Sequence, residues 1–164
     1  MRLILIRHAI AAERGTPGLA DGDRPLTARG RRRFRTAASG LVRLLPPPDR
    51  ILTSPLVRAA QTARLLARAW DGPQPTPFVP LAGGAPAEVL DGLGRAGRDT
   101  CLALVGHEPH LSLLLAHLLG LPDPGGVGFR KGGAALIETS AARPQESRLI
   151  WFLPPGILRR IGRA

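Results

Sequence analysis

The chain has 164 residues, which is enough to bury one substantial core, and we expect a single domain spanning residues 1–164. Its one cysteine, Cys101, excludes an intramolecular disulfide and favours a reducing, cytoplasmic location, where Cys101 is expected to act as a small buried hydrophobe. The net charge of +11 comes almost entirely from arginine, since Lys131 is the only lysine. No segment approaches the roughly 18 apolar residues of a membrane span, and the N-terminal run "LILI" is too short for a secretion signal.

The first half of the chain predicts two strands, each followed by a helix. Residues 2–6 form a continuous apolar run, which is typical of a strand buried on both faces of a parallel sheet. After a loop rich in Gly, Pro and Asp, Thr27 is expected to cap a helix that ends near Leu45, before "PPPD". "RILTSP" predicts a second strand, and "LVRAAQTARLLARAW" predicts a helix that begins near Pro55.

The second half continues this alternation. Phe78 and Val79 suggest a short strand, and "AEVLDGLGRAG" a helix weakened by its glycines. "TCLALVGH" predicts a third apolar strand, and "HLSLLLAHLLG" a helix closed by Gly120. "GGAALIETS" and "SRLIWFLPP" predict two final strands, and the tail "GILRRIGRA" either a helical turn or a frayed end. Alternating strands and helices predict an α/β sheet with helices on both faces, which binds ligands at the carboxyl ends of its strands.

Charged and polar residues follow three of the predicted strands. Arg7 and His8 follow the first, Ser54 follows the second with Arg58 one helical turn beyond it, and His107 follows the third. If these strands are parallel neighbours, two histidines and two arginines meet at one edge of the sheet. Arginine guanidinium groups match phosphate oxygens in a bidentate manner, and a neutral imidazole can attack phosphorus. The pattern therefore predicts a site that holds and attacks a phosphoryl group.

Structural and metal-binding interpretations compete with this prediction. A single histidine after a strand usually makes a structural hydrogen bond, and a single arginine on a helix is usually solvated. Arg7 and His8 together, with His107 at the matching place on another strand, favour a functional site. A metal bound by the two histidines is disfavoured, because the arginines would repel a cation and no carboxylate is placed to complete the ligands.

Three ordered motifs carry a resemblance to a known family. "LIRHAIAAE" resembles the Arg-His-Gly signature of the histidine phosphatase superfamily, with Ala9 in place of Gly. "LTSPLVRAAQTA" and "LALVGHEPHLS" resemble its Ser-Pro-x-x-Arg-Ala-x-x-Thr-Ala and Gly-His segments. The short length and "DRPLTARG" are similar to its small SixA-like branch, the phosphohistidine phosphatases. The resemblance spans roughly residues 1–140 and so includes all three motifs.

The resemblance implies a fold, a mechanism and a set of site residues. The fold would be phosphoglycerate mutase-like, a three-layer α/β/α sandwich whose mostly parallel central sheet has an antiparallel edge strand. His8 would be the nucleophile, Arg7 and Arg58 would clamp the phosphoryl oxygens, and a cationic His107 would stabilise their charge. Arg24 would add a substrate contact. No metal and no other cofactor would be required.

Two departures from the family pattern stand out. Ala9 adds a Cβ beside the nucleophile, which would cause strain if the backbone there had positive φ; we expect it to be tolerated. The general acid is not evident, since the chain lacks the inserted segment that supplies it in longer members. The candidates are Glu88 and Asp91 by position, and Glu13, Asp21 and Asp23 by proximity to the first motif. A missing acid would suit a phosphoramidate such as phosphohistidine, whose leaving group departs easily.

Three functions follow as hypotheses. The first is a cofactor-independent phosphatase that removes phosphate from phosphohistidine on a protein. The second is a phosphatase of the same superfamily for a small phosphorylated metabolite. The third is a non-catalytic phosphate- or nucleic-acid-binding module, suggested by the charge of +11 and by "RGRRRFR" (Arg29 to Arg35). The third is disfavoured, because phosphate binding alone does not need both histidines and because a solvated helix face explains "RGRRRFR" more simply. No membrane partner is expected.

Overall fold

A central sheet of six strands organises the protein in a computed structural model that describes residues 1–94, 100–140 and 143–164. The strands are β1 (Arg2–Arg7), β2 (Arg50–Thr53), β3 (Thr76–Pro77), β4 (Cys101–Gly106), β5 (Ala134–Ser140) and β6 (Arg143–Leu153). Their order across the sheet is β3-β2-β4-β1-β5-β6. Strands β1 to β4 are parallel, β5 is antiparallel to β1, and β6 is antiparallel to β5.

In the described ranges, five α-helices cover the two faces of this sheet. They are α1 (Ala28–Leu44), α2 (Val57–Trp70), α3 (Pro86–Leu93), α4 (His110–Leu118) and α5 (Pro155–Ile161). Helices α1, α2 and α5 pack on one face, and α3 and α4 on the other. The predicted three-layer α/β/α architecture with a mostly parallel sheet is confirmed. The antiparallel strand β5 lies second from the edge, and its hairpin partner β6 forms the edge itself.

The four central residues of β1 are apolar, and they are buried on both faces of the strand. Ile4 and Ile6 belong to the core shared with α1, α2 and α5, whereas Leu3 and Leu5 belong to the core shared with α3 and α4. Each of these four side chains is 0% exposed. The alternation along a strand thus places consecutive hydrophobes in two different cores, and the continuous apolar run predicted this position in the sheet.

Most of the predicted element boundaries agree with the structure. Thr27 caps α1, since its Oγ1 accepts a hydrogen bond from the Gly30 N–H at 2.9 Å. The tail forms the helix α5. The strand predicted at Phe78 and Val79 is wrong: β3 ends at Pro77, and a 3-10 turn that contains Pro80 occupies Val79–Ala82.

Two further expectations from the sequence concern helix α3 and Cys101. Helix α3 ends at Leu93, and residues 95–97 of the predicted helix lie outside the described residues. Cys101 is 5% exposed and unbonded, and burial raises the pKa of its thiol, as expected of a buried hydrophobe. Within the described ranges, no helix is both long enough and apolar enough to cross a membrane.

Helices α1 and α5 approach each other backbone to backbone. A Cβ added at Gly40 on α1 would collide with the carbonyl oxygen of Leu158 on α5, and one at Gly162 would collide with the carbonyl oxygen of Thr36. The Leu158 side chain is fully buried beneath α1. Glycine at these positions therefore sets the distance between the two helices.

Gly40→Ala should destabilise the protein by about 1–3 kcal/mol, because α5 must move away from α1 to admit the methyl group. This loss exceeds the roughly 1 kcal/mol that alanine gains in helix propensity. The free energy of unfolding from urea titration measures it. Gly156→Ala on α5, where an added Cβ meets nothing within 4 Å, is the matched control. Wild-type stability in Gly40→Ala would contradict the close packing.

Candidate active site

The sheet brings the two predicted histidines together. Strands β1 and β4 are parallel neighbours with Arg7 opposite Gly106, so the next residues, His8 and His107, leave the sheet side by side. Their ring centroids lie 5.0 Å apart. His8 and His107 are each 6% exposed, and Arg58, at the start of α2, is 5% exposed. The strand ends thus form a buried, positively charged site, as the sequence predicts.

His8 is held as a neutral imidazole with one free ring nitrogen. Its Nδ1 lies 2.7 Å from the carbonyl oxygen of Ala9, and because a carbonyl only accepts, Nδ1 carries the proton. The Nε2 lone pair is therefore free for attack. Burial lowers the pKa of His8 to about 3; the bond to Ala9 opposes this shift, and the charges of His107, Arg58 and Arg7 add to it. At pH 7 the ring is uncharged.

Ala9 fits beside the nucleophile without backbone strain. In the part of the chain that the structure describes, Asp71 is the only non-glycine residue with positive φ, so Ala9 does not adopt the left-handed conformation. The Ala9 N–H donates to Thr62 Oγ1 at 3.0 Å, and the Thr62 hydroxyl donates to the carbonyl oxygen of Arg58 at 2.7 Å. Thr62 thus ties the residue after the nucleophile to the helical turn that carries Arg58.

His107 is hydrogen-bonded on one side of its ring only. Its Nε2 lies 2.8 Å from the hydroxyl oxygen of Ser54, whereas its buried Nδ1 has no hydrogen-bond partner among the described residues. Burial lowers the pKa of His107 to about 4, together with the charges of Arg58 and His110. The expectation of a cationic His107 therefore does not hold for the free protein, because the site is both buried and already positive. The negative charge of a phosphoryl group would raise this pKa.

Asp21 joins Arg58 to Arg24. Arg58 donates from Nη1 to the backbone oxygen of Asp21 at 2.6 Å and from Nη2 to its carboxylate at 3.3 Å. Arg24, 7% exposed, contacts the same carboxylate from Nε at 3.1 Å and Nη2 at 3.0 Å, and its Nη1 donates to Ala12 at 2.7 Å. The structure therefore connects Arg24 to the site through Asp21, with most of its donors already engaged.

Asp21 is poorly suited to donate a proton at neutral pH. Desolvation by itself would raise its pKa, but the hydrogen bond from Arg14 and the charges of Arg24 and Arg58 lower it. The other four candidates for the general acid are exposed, and the described residues include no hydrogen bond from them to His8, Arg58 or His107. They are Glu13, Asp23, Glu88 and Asp91.

Arg7 is positioned by a segment that Glu108 anchors. Arg7 Nη1 donates to the carbonyl oxygen of Phe129. The Phe129 N–H donates to Glu108 Oε1 at 2.6 Å, and the Ser112 hydroxyl donates to the same carboxylate. The Nε atoms of Arg7 and Arg58 are buried and, like His107 Nδ1, lack a partner in the described residues. The three residues proposed to bind the phosphoryl group thus each keep one buried nitrogen atom without a hydrogen-bond partner in the described ranges.

The sequence interpretation missed several positioning residues. Ser54 and Thr62 lie inside the motif "TSPLVRAAQT", but no spacing argument assigns them to His107 and Ala9. Glu108 adjoins His107, and nothing in the sequence pairs it with Phe129, 21 residues away. In the described ranges, no cluster of three or more His, Cys, Asp or Glu side chains could hold a metal ion.

Comparison with known proteins shows the family of this chain. The model of the histidine phosphatase superfamily (branch 1) matches residues 3–78. An uncharacterized protein of Picosynechococcus sp. is 42% identical over 147 residues, which cover 83% of this chain and 88% of that protein. The crystal structure of SixA from Agrobacterium tumefaciens is 30% identical, covering 94% of this chain and 97% of that one, with a TM-score of 0.75. The protein histidine phosphatase SixA complexed with tungstate is 24% identical and covers 96% and 99%, with a TM-score of 0.83.

The chain therefore belongs to the histidine phosphatase superfamily, in its SixA-like branch. It is a hydrolase of phosphate esters with a phosphoglycerate mutase-like fold.

The buried neutral His8 should make the protein less stable as the pH falls from about 6.5 towards 3. In this window the unfolded chain binds a proton at His8, whose ordinary pKa is 6.5, whereas folded His8, with a pKa of about 3, does not. His8→Gln should therefore lose less free energy of unfolding between pH 6.5 and 4.5 than the wild type, by on the order of 1–2 kcal/mol. Urea titration at each pH measures this difference.

His117→Gln, at an exposed histidine on α4, is the control and should keep the wild-type pH dependence. An unchanged loss of stability in His8→Gln would show that His8 is not held neutral.

Proposed function

We propose that this phosphatase removes phosphate from phosphohistidine on a protein, through a phosphohistidine intermediate on His8 and without a metal or other cofactor. The observation that carries the proposal is a neutral His8 whose Nδ1 is fixed by Ala9 and whose Nε2 has no hydrogen-bond partner among the described residues. A nucleophile in this state can attack phosphorus without a separate base.

The reaction takes two displacements at phosphorus. His8 Nε2 forms a bond to the phosphorus atom while the bond to the substrate's imidazole breaks, and that imidazole leaves with its electron pair. A water molecule then attacks the phosphorus on His8, loses a proton to solvent or to the released phosphate, and returns His8 to its starting state. In each displacement the transferring phosphoryl group carries negative charge on its three equatorial oxygens, which the site must stabilise.

Arg7, Arg58 and His107 are the groups we propose for this stabilisation. Both guanidinium groups keep their charge at pH 7 and present planar sets of donors that match phosphoryl oxygens. If the Ser54 hydroxyl donates to His107 Nε2, the proton of His107 lies on the unpartnered Nδ1, which can donate to a third oxygen. Each such donor is worth ~3–4 kcal/mol in the transition state. We propose that Arg24 contributes through Asp21, which holds Arg58 in place.

The electrostatics favour a phosphoramidate over an ordinary ester. The acidic residue nearest the arginines, Asp21, stays ionised, because its pKa is lowered by its arginine partners despite desolvation. An alkoxide leaving group would need a protonated acid there. The second ring nitrogen of phosphohistidine can take a proton from solvent before the bond to phosphorus breaks, so the leaving imidazole departs neutral. The likeness to SixA supports the same substrate class.

The test compares wild-type protein and His8→Ala on an aryl phosphate and on a protein phosphorylated on histidine. We expect His8→Ala to reduce kcat/KM on both by at least about 10³-fold, because the attacking group is lost. Undiminished hydrolysis of both would sink the assignment. Wild-type hydrolysis of the aryl phosphate alone would instead indicate a phosphatase for small metabolites.

Arg58→Lys should lower kcat/KM about 10²-fold although the charge is retained, because an ammonium group cannot reproduce the planar donors of a guanidinium. Steady-state kinetics with the aryl phosphate measures this. Arg64→Lys, at an exposed arginine on the same helix, should behave as wild type. Equal activity of Arg58→Lys and Arg64→Lys would remove Arg58 from the site.

A further inference from the structure

A cleft lies beside the active site, between α1, the segment before β5, and α5. It consists of two adjoining cavities of about 140 and 460 Å³. The walls of both contain Arg33, Pro155 and Arg159. We call it the basic cleft after its five cationic residues, Arg33, Arg130, Lys131, Arg159 and Arg160.

The positive charge of the basic cleft is not balanced by carboxylates in the part of the chain that the structure describes. Arg130, Lys131 and Arg160 are exposed, and Arg33 and Arg159 are half-buried. None of the five forms an ion pair in the ranges that the structure describes, whereas Arg14, Arg24 and Arg58 all contact Asp21. Desolvation and the charges of Arg33 and Arg163 lower the pKa of Arg159, so these cations repel one another. A surface of this kind attracts anions.

The basic cleft opens at the same edge of the sheet as the nucleophile. Strand β6 ends at this edge and α5 begins there, because β6 runs in the same direction as β1. Ala9 and Ile10, which follow His8, line the cleft. Gly132, also in its wall, donates its N–H to the carbonyl oxygens of Arg7 at 3.0 Å and His8 at 3.2 Å. A peptide segment bound in the basic cleft would therefore be separated by only a few residues from a phosphorylated side chain bound at His8.

The distribution of the cations indicates the kind of anion. They come from three separate segments and two cavities, so a single phosphate cannot contact them all, whereas several carboxylates along a peptide can. Single-stranded nucleic acid would need exposed aromatic rings for stacking, and Phe34, the one aromatic residue among the described residues that line the cleft, is 2% exposed. These features favour an acidic polypeptide.

We infer that the basic cleft binds acidic side chains of the protein substrate that are close in sequence to its phosphohistidine. The inference rests on the proposed function for its substrate class. It assigns recognition of the protein to Arg33, Arg130, Lys131, Arg159 and Arg160, and chemistry to the site around His8. The five arginines of "RGRRRFR" then have three settings. Arg29, Arg32 and Arg35 are exposed, half-buried Arg31 donates to the carbonyl oxygen of Leu26, and Arg33 lines the cleft.

The test uses two synthetic peptides phosphorylated on one histidine, with four flanking glutamates in one and four glutamines in the other. We expect wild-type kcat/KM to be about 10-fold higher for the glutamate peptide in low salt. The preference should shrink at about 0.5 M salt, which screens surface charges.

Arg130→Gln/Arg160→Gln should reduce the preference to about 2-fold or less, and leave kcat/KM for a small aryl phosphate unchanged. Both arginines are exposed, so folding should be unaffected.

The matched control removes the same charge elsewhere. Arg43→Gln/Arg68→Gln, at exposed positions of α1 and α2 outside the cleft, should keep the wild-type preference. Equal rates for the two peptides in wild-type protein would overturn the inference. An equal loss of preference in the control would do so too, since net charge alone would then explain it.

A binding measurement separates failure of this inference from failure of the proposed function. The unphosphorylated glutamate peptide, labelled for fluorescence anisotropy, should bind wild-type protein at least about 10-fold more tightly than it binds Arg130→Gln/Arg160→Gln. If neither phosphopeptide is hydrolysed but this difference persists, the phosphohistidine activity fails and the acidic docking stands. Tighter binding of a short DNA duplex, lost in the same variant, would assign the cleft to nucleic acid instead.

Discussion

The hydrogen bond between His8 Nδ1 and the carbonyl oxygen of Ala9 is the contact on which the chemistry of the site depends. It fixes the ring's tautomer, directs one nitrogen to the backbone and leaves the other free. The bond is rigid because the strand before it is buried on both faces and because Thr62 holds the N–H of Ala9. The two hydrophobic cores thus help to fix the direction of the lone pair on His8 Nε2.

Burial and positive charge act together on this site. Both disfavour a second proton on the rings of His8 and His107. The nucleophile therefore stays neutral in a pocket that attracts anions. The protein balances part of the charge with two carboxylates, Asp21 beside Arg58 and Arg24, and Glu108 behind Arg7. The basic cleft has no such partners in the described residues. The arginines of the catalytic edge are therefore held by carboxylates, whereas the cations of the basic cleft are left to bind an anionic partner.

The sequence predicted the architecture well, because the signals that define it are local. Apolar runs, the Thr27 cap and the prolines after Leu45 each act within a few residues, and the alternation of strands and helices implied the parallel sheet. The convergence of His8 and His107 followed from the ends of neighbouring strands, and that of Arg58 from the helix that follows β2. The short strand near Phe78 was misplaced, since a few residues with several prolines carry little periodicity.

What the sequence did not predict depends on contacts between distant segments and on burial. The bridge from Asp21 to Arg58 spans 37 residues, and the neutral state of His107 follows from desolvation that no motif encodes. The most direct test of the account is the ¹⁵N NMR spectrum of the His8 ring as a function of pH. We predict a protonated Nδ1 and an unprotonated Nε2 at pH 7, unchanged down to about pH 4. A proton on Nε2, or an imidazolium ring at pH 7, would contradict it.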